Sequence, residues 1–247
     1  MNRSPVTYAL WLARANAAAV EAARIHGCHG ITIDMEHGVF DRSDVDRLIL
    51  LARESGLQSF VRVAEPTRIA VQNPLDSGAT GVIIPHVDDL DHAREVTAFA
   101  KYPPMGDRSV GGGRTFGYGG GDEAFYAAEN TRVRCFPMVE TVGALEDVDA
   151  ILALDCVDGI FLGPADLNMA RGRKGAFGTA DMRDRSRVAE ACRKTGKDFG
   201  MNVYTTGDME ASREIGLTFA ALCDDVAALL DGYGRVVSDA RRIIEGA

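Results

Sequence analysis

Residues 30–63 read GITIDMEHGVFDRSDVDRLILLARESGLQSFVRV and contain one strand–helix–strand unit. Residues 30–34 form a short apolar strand. Residues 43–55 carry apolar side chains at helical spacing, and residues 59–63 return to strand composition. Two strands joined through a helix lie parallel in one sheet.

The same alternation continues in both directions. Upstream, residues 7–12 are strand-like and residues 17–26 form an Ala-rich helix. Downstream, strands are expected at 81–85, 134–139, 159–162, 198–203 and 219–222. Helices are expected at 68–76, 90–101, 144–153, 182–195, 208–215 and 226–244, with a helical turn after Pro164. Eight strand–helix pairs in 247 residues predict an α/β fold, a closed (β/α)8 TIM barrel forming one domain over residues 1–247. Residues 102–121, with eight glycines from Gly106 onward, interrupt the pattern.

Composition excludes several roles. The formal net charge of −9 is the opposite of a phosphate-binding footprint, so neither nucleic acid nor an anionic membrane surface is an expected partner. No apolar run reaches the length of a membrane span. Residues 6–13 loosely imitate a signal peptide, but Arg14 interrupts them and residues 7–12 read as the first barrel strand. Cys28, Cys135, Cys156, Cys192 and Cys223 are odd in number and contain no CxxC pair, which fits reduced, mostly buried thiols in a cytoplasmic protein.

In such barrels the chemistry gathers where strands end and βα loops begin. Strand 2 ends in Asp34-Met35-Glu36-His37, strand 3 carries Arg62, strand 4 ends in Pro85-His86, strand 5 in Glu140, and strand 6 in Gly163-Pro164-Ala165-Asp166. Each admits two readings. Glu140 and Asp166 suit a hard divalent cation, or each caps the helix that follows. Asp34 and His37 can form an oriented general base, or a capped loop with a solvated imidazole. Arg62 either closes a structural salt bridge or receives an anion. The turn at Gly163–Asp166 offers backbone N–H groups to a carboxylate, although Pro164 supplies none. His86 is a further candidate for lining the site. The Gly-rich segment matches neither phosphate-loop pattern. It is either a surface connection or a mobile βα loop whose Arg108 and Arg114 touch substrate.

Several stretches together resemble the HpcH/HpaI family of class II pyruvate aldolases. They are Asp34-Met35-Glu36-His37-Gly38, Arg62, Leu75-Asp76-Ser77-Gly78-Ala79, Tyr102-Pro103-Pro104 with Gly106 and Arg108, Val139-Glu140, and the run from Gly159 through Gly163-Pro164-Ala165-Asp166 to Leu167. The resemblance implies a pyruvate-type barrel whose last helix is swapped between paired subunits, assembled as a hexamer, a trimer of dimers. It implies Mg²⁺, Mn²⁺ or Co²⁺ on Glu140 and Asp166, a 2-oxo acid and an aldehyde as partners, and Arg62 at the enolate oxygen. His37, oriented by Asp34, would move protons. Asp76 would reach a neighbouring subunit's site, and Gly163, Pro164, Ala165 and Asp166 would hold the substrate carboxylate. Met138 replaces a glutamine found in several members, Ser109 replaces a common glycine, and Gly111-Gly112-Gly113-Arg114 is unusually glycine-rich. Biosynthetic condensation, such as citrate formation from oxaloacetate and acetyl-CoA, is the alternative activity on this scaffold. A non-catalytic 2-oxo-acid-binding oligomer is a further one.

Overall fold

The computed structural model describes residues 6–172 and 182–246. Eight parallel strands close into a barrel in sequence order. They are β1 (Thr7–Leu12), β2 (Gly30–Asp34), β3 (Gln58–Arg62), β4 (Gly81–Ile84), β5 (Arg134–Val139), β6 (Gly159–Leu162), β7 (Asp198–Val203) and β8 (Phe219–Asp224). The expected strands match these within one or two residues.

Helices cover the outside: α1 (Ala17–Ile25), α2 (Arg42–Glu54), α3 (Arg68–Asp76), α4 (Leu90–Ala98), α5 (Glu123–Arg132), α6 (Val142–Glu146), α7 (Val148–Leu152), α8 (Pro164–Ala170), α9 (Met182–Thr195), α10 (Thr206–Ile215) and α11 (Asp225–Ala240). Short polar side chains fix many starts by accepting orphan N–H groups, as Asn16, Thr67, Asp89, Thr141 and Asp224 do. Asp41 and Asp44 cap α2 reciprocally.

Strand periodicity decides what lies inside. Residues i and i+2 share one face of a strand. Ala9, Trp11, Phe60, Ile83, Phe136, Met138, Phe161, Phe219 and Ala221 form a separate buried cluster, which is the barrel interior. Phe60 and Phe219 pack with ring centroids 4.5 Å apart, and Trp11 lies 5.9 Å from Phe161. Two residues beyond Phe60 comes Arg62, and two beyond Phe161 comes Gly163. Two beyond Met138 comes Glu140. The polar layer therefore sits directly on an aromatic floor.

Several expectations need correction. Helix 90–101 stops at Ala98, and the buried Lys101 ammonium reaches Asn130 O at 2.7 Å and Asp158 at 2.9 Å. The helix expected over 144–153 is two short helices broken at Asp147, whose carboxylate accepts Leu90 N at 2.9 Å. The helix α5 was not legible. Its buried positions are Glu129 and Asn130, so it shows no apolar stripe. The Gly-rich segment follows α4 and leads back towards β5, so it is not a βα loop. It lies along α3 and α2, with Arg114 paired to Asp46 at 2.6 Å.

Of the thiols, Cys135, Cys156 and Cys192 are buried, Cys28 is half-buried and Cys223 is exposed. Among the described residues, no helix is long and apolar enough to cross a membrane. Helix α11 buries none of its residues, and Leu230, Tyr233 and Val236 stand exposed along it.

Candidate active site

A cavity of about 650 Å³ opens at the C-terminal ends of the strands. Asp34, His37, Arg62, Glu140 and the Gly163–Asp166 turn all line it, so most of the expected residues meet there.

Asp34 and Arg62 are paired positions of β2 and β3. Arg62 Nε and Nη2 donate to the two carboxylate oxygens at 2.8 and 2.7 Å. Trp11 Nε1 donates to Asp34 Oδ2 at 3.2 Å, and its ring lies 5.0 Å from the guanidinium carbon. Glu36 adds a second carboxylate, with Oε2 2.9 Å from Arg62 Nη1. Burial pushes the Asp34 carboxyl up, but the hydrogen bonds and charge of Arg62, the His37 N–H and Trp11 outweigh it and hold it below the usual range. Burial likewise works against the charged guanidinium. The carboxylates of Asp34, Glu36 and Glu140 reverse that and make it hold its proton more tightly. Arg62 therefore closes a structural salt bridge with Asp34 and at the same time lines the open cavity.

The expected orientation of the His37 ring by Asp34 is not what the structure shows. Asp34 Oδ1 accepts the backbone N–H groups of Glu36 and His37, at 3.2 and 3.3 Å. The imidazole instead turns to Glu36, with Nε2 3.6 Å from Oε1, and its side chain is 69% exposed. The short βα turn explains this: a carboxylate two or three residues upstream reaches the following N–H groups before any side chain.

Glu140 is buried at the end of β5, and its Oε1 accepts the N–H of His86 at 2.6 Å. Burial raises its pKa, and the negative charges of Glu36 and Asp166 raise it further against the opposing effect of His86. Gly163 is essential to this arrangement. A Cβ there would stand 2.7 Å from Glu140 Oε2 and 2.9 Å from the Met138 terminal methyl. Asp166 lies in the first turn of α8, behind Pro164.

This donor set fits a hard divalent cation. Two carboxylates approach one cavity, one of them already destabilised by burial and by neighbouring acids, a penalty that a cation reverses. Among the described residues, no group of three or more His, Cys, Asp or Glu forms a closed metal cage. A two-carboxylate site leaves positions for substrate oxygens and water, which is how Mg²⁺ is commonly held.

Asp76 and Arg108 do not enter this cavity. Asp76 ends α3, beside the start of β4, and accepts from Arg108 Nη2 at 2.7 Å. Arg108 is itself buried, under Glu129 and over the Tyr102 ring. The cavity also contains Trp11, Asn202, Tyr204 and Asp224, which the sequence reading passed over. The signal was present: each lies near the end of a strand, in β1, β7 or β8 or just beyond.

A closed barrel with carboxylates, an arginine and a histidine around a cavity at its C-terminal mouth has its polar groups where enzymes of this architecture carry their chemistry. Residues 7–231 match the HpcH/HpaI aldolase/citrate lyase family, and the chain belongs to it. It is therefore an enzyme of a carbon–carbon lyase family. A 2-keto-3-deoxy-L-rhamnonate aldolase of Klebsiella pneumoniae is 34% identical over 73% of this chain and 68% of its own length. A hydroxypyruvate/pyruvate aldolase of Roseobacter denitrificans is 30% identical over 94% and 91%. The crystal structure of an HpcH/HpaI aldolase from Desulfitobacterium hafniense superposes with a TM-score of 0.88, at 28% identity over 97% of this chain and 94% of that one.

Proposed function

We propose that the chain is a metal-dependent aldolase that reversibly cleaves 4-hydroxy-2-oxo acids at C3–C4, giving pyruvate or a related 2-oxo acid and an aldehyde. One observation carries this reading. Arg62, held flat by Asp34, faces the same cavity as the carboxylates of Glu140 and Asp166. An enolate needs positive charge at its oxygen, and this mouth supplies one fixed cation and two ligands for another. The two aldolase relatives above support the reaction class.

Glu140 and Asp166 would hold Mg²⁺, Mn²⁺ or Co²⁺, which supplies charge that stabilises the enolate and acidifies the protons of C3. Arg62 binds the oxygen on which negative charge develops. The Gly163–Asp166 turn receives the substrate carboxylate, with Ala165 and Asp166 as N–H donors. His37, exposed at the rim, removes or returns the proton. Asp76 takes part only if another chain brings it to the cavity, which the bare apolar face of α11 supports through a swapped last helix and a hexamer. Light scattering should then give six subunits, and a monomer would remove Asp76 from the mechanism.

The deciding experiment is pyruvate release from a panel of 4-hydroxy-2-oxo acids with Mn²⁺. Glu140→Ala and Asp166→Ala should abolish turnover in a folded barrel. Full turnover after chelation, or borohydride trapping of a lysine, would overturn the reading in favour of Schiff-base chemistry. Citrate formation from oxaloacetate and acetyl-CoA without pyruvate release would favour the biosynthetic alternative. Binding of pyruvate without α-proton exchange would leave a non-catalytic protein.

A further inference from the structure

His86 occupies an unusual backbone position. It follows Pro85 just beyond β4, with φ of +55°, the left-handed region that non-glycine residues seldom adopt. Such a conformation persists only where the surroundings hold it, and it clusters at functional sites. Here it does two things at once. It aims the His86 N–H at Glu140 Oε1, 2.6 Å away. It also swings the ring over Glu36, with Nε2 2.7 Å from Oε1 and Nδ1 3.7 Å from Glu140 Oε1.

Glu36 in turn touches Arg62. Its Oε2 lies 2.9 Å from Nη1, an ion pair whose alignment falls short of a hydrogen bond, and the oxygen is otherwise buried without a donor. An acid placed this way needs a second hold to stay against the guanidinium. The His86 ring is that hold. Both of its nitrogens face carboxylates, so it is poorly placed to accept a proton from substrate. The His37 ring, farther from Glu36 at 3.6 Å, remains open to the cavity.

We propose that His86 is a positioning residue that ties the two halves of the mouth together. Its ring clamps Glu36 onto Arg62, and its left-handed backbone presents N–H to Glu140. The inference rests on the aldolase reading for its effect on turnover, but its geometry can be read without substrate or metal. Trp11 is the only tryptophan of the chain, it is buried, and its indole contacts both Asp34 and Arg62. Its fluorescence reports whether the guanidinium stays in place.

The test compares His86→Gly, His86→Gln and Glu36→Gln. Glycine keeps the left-handed backbone and the N–H while deleting the ring. Gln restores a donor near the position of Nε2. In the metal-free protein, His86→Gly and Glu36→Gln should shift Trp11 emission to the red and increase its quenching by acrylamide, with the melting temperature preserved. With Mn²⁺ and substrate, both should lose roughly tenfold to a hundredfold in kcat/KM, the range found for outer-shell partners of a metal site. His86→Gln should recover most of both signals. The double variant His86→Gly with Glu36→Gln should be no worse than either single one, because both break one chain of contacts.

A wild-type Trp11 spectrum in His86→Gly would overturn the proposal. So would losses that add in the double variant, or a Gln variant as impaired as the glycine one. Should His86→Gly fail to fold, Glu36→Gln against His86→Gln makes the same comparison. If the wild-type chain shows no Mn²⁺-dependent proton exchange, the aldolase reading fails, while the metal-free Trp11 measurement still decides the clamp.

Discussion

Asp34 and Arg62 stand opposite one another on adjacent parallel strands and meet through two hydrogen bonds, of 2.8 and 2.7 Å. A planar guanidinium gripped along one edge keeps its remaining N–H groups in fixed directions. Under the proposed aldolase chemistry, ordering Arg62 would therefore cost little when an oxyanion binds. The pair is nearly sealed from solvent, with the arginine side chain 12% exposed, yet the guanidinium still borders the cavity.

The Asp34 pair should make stability depend on acid. Its carboxyl titrates lower in the folded chain than in the unfolded one. The unfolded state therefore takes up protons first, and the stabilisation is present above the unfolded pKa and lost as pH falls through the folded one. Asp34→Asn should destabilise the protein near neutral pH by about 3 kcal/mol, the lower end for breaking a buried pair, since Glu36 still faces Arg62. Urea unfolding of both proteins should show the gap closing in acid. A gap that stays constant down to strongly acid pH would remove Asp34 as its source.

Replacing Arg62 with lysine keeps the charge but removes the two-point grip. Negative charge grows on the oxygen only as the enolate forms, so the loss should fall on the reaction rather than on binding. Steady-state kinetics should show a lower kcat with a smaller change in KM. Unchanged constants would mean that Arg62 is only a structural partner of Asp34.

Gly163→Ala should damage the site more than the fold. The new methyl would stand 2.7 Å from a Glu140 oxygen, forcing that carboxylate out of line. Calorimetry with Mn²⁺ should show affinity reduced by roughly tenfold or more, as for other displaced metal-site partners. The circular dichroism of the barrel should be retained. Wild-type Mn²⁺ affinity in this variant would argue against Glu140 as a ligand.

His37→Ala should slow both cleavage and the exchange of pyruvate methyl protons by roughly 10²–10⁴-fold, the usual worth of a placed general base. Mn²⁺ affinity should hardly change, because His37 does not contact Glu140 or Asp166 in the structure. Exchange at the wild-type rate, followed by NMR in D₂O near neutral pH, would place the base elsewhere.

How much of this was legible in the sequence varies from residue to residue. The strand order followed from repeated apolar runs and helical spacing, which are local properties. The convergence of Asp34, Arg62, Glu140 and Gly163 followed from the rule that βα junctions share one mouth. Helix α5 escaped because its buried residues, Glu129 and Asn130, are polar. The Gly-rich segment admitted two placements, a surface connection or a βα loop, because glycine content marks irregular backbone without saying at which end of the barrel it lies.

By itself the sequence determined the eightfold repeat and the set of polar residues at the strand ends, because hydrophobic periodicity and the order of residues along each strand are fixed by the chain. Only the tertiary structure decided which of them pair. Asp34 takes Arg62 rather than the His37 ring because β3 lies beside β2 in a register that sets the two residues side by side. Glu36 meets His86 because a left-handed residue after β4 turns that ring back across the mouth. Asp76 is carried away from the mouth to Arg108 because α3 runs antiparallel to the strands and ends at the opposite face. Such pairings depend on register, handedness and helix direction between distant segments, and no local pattern encodes them.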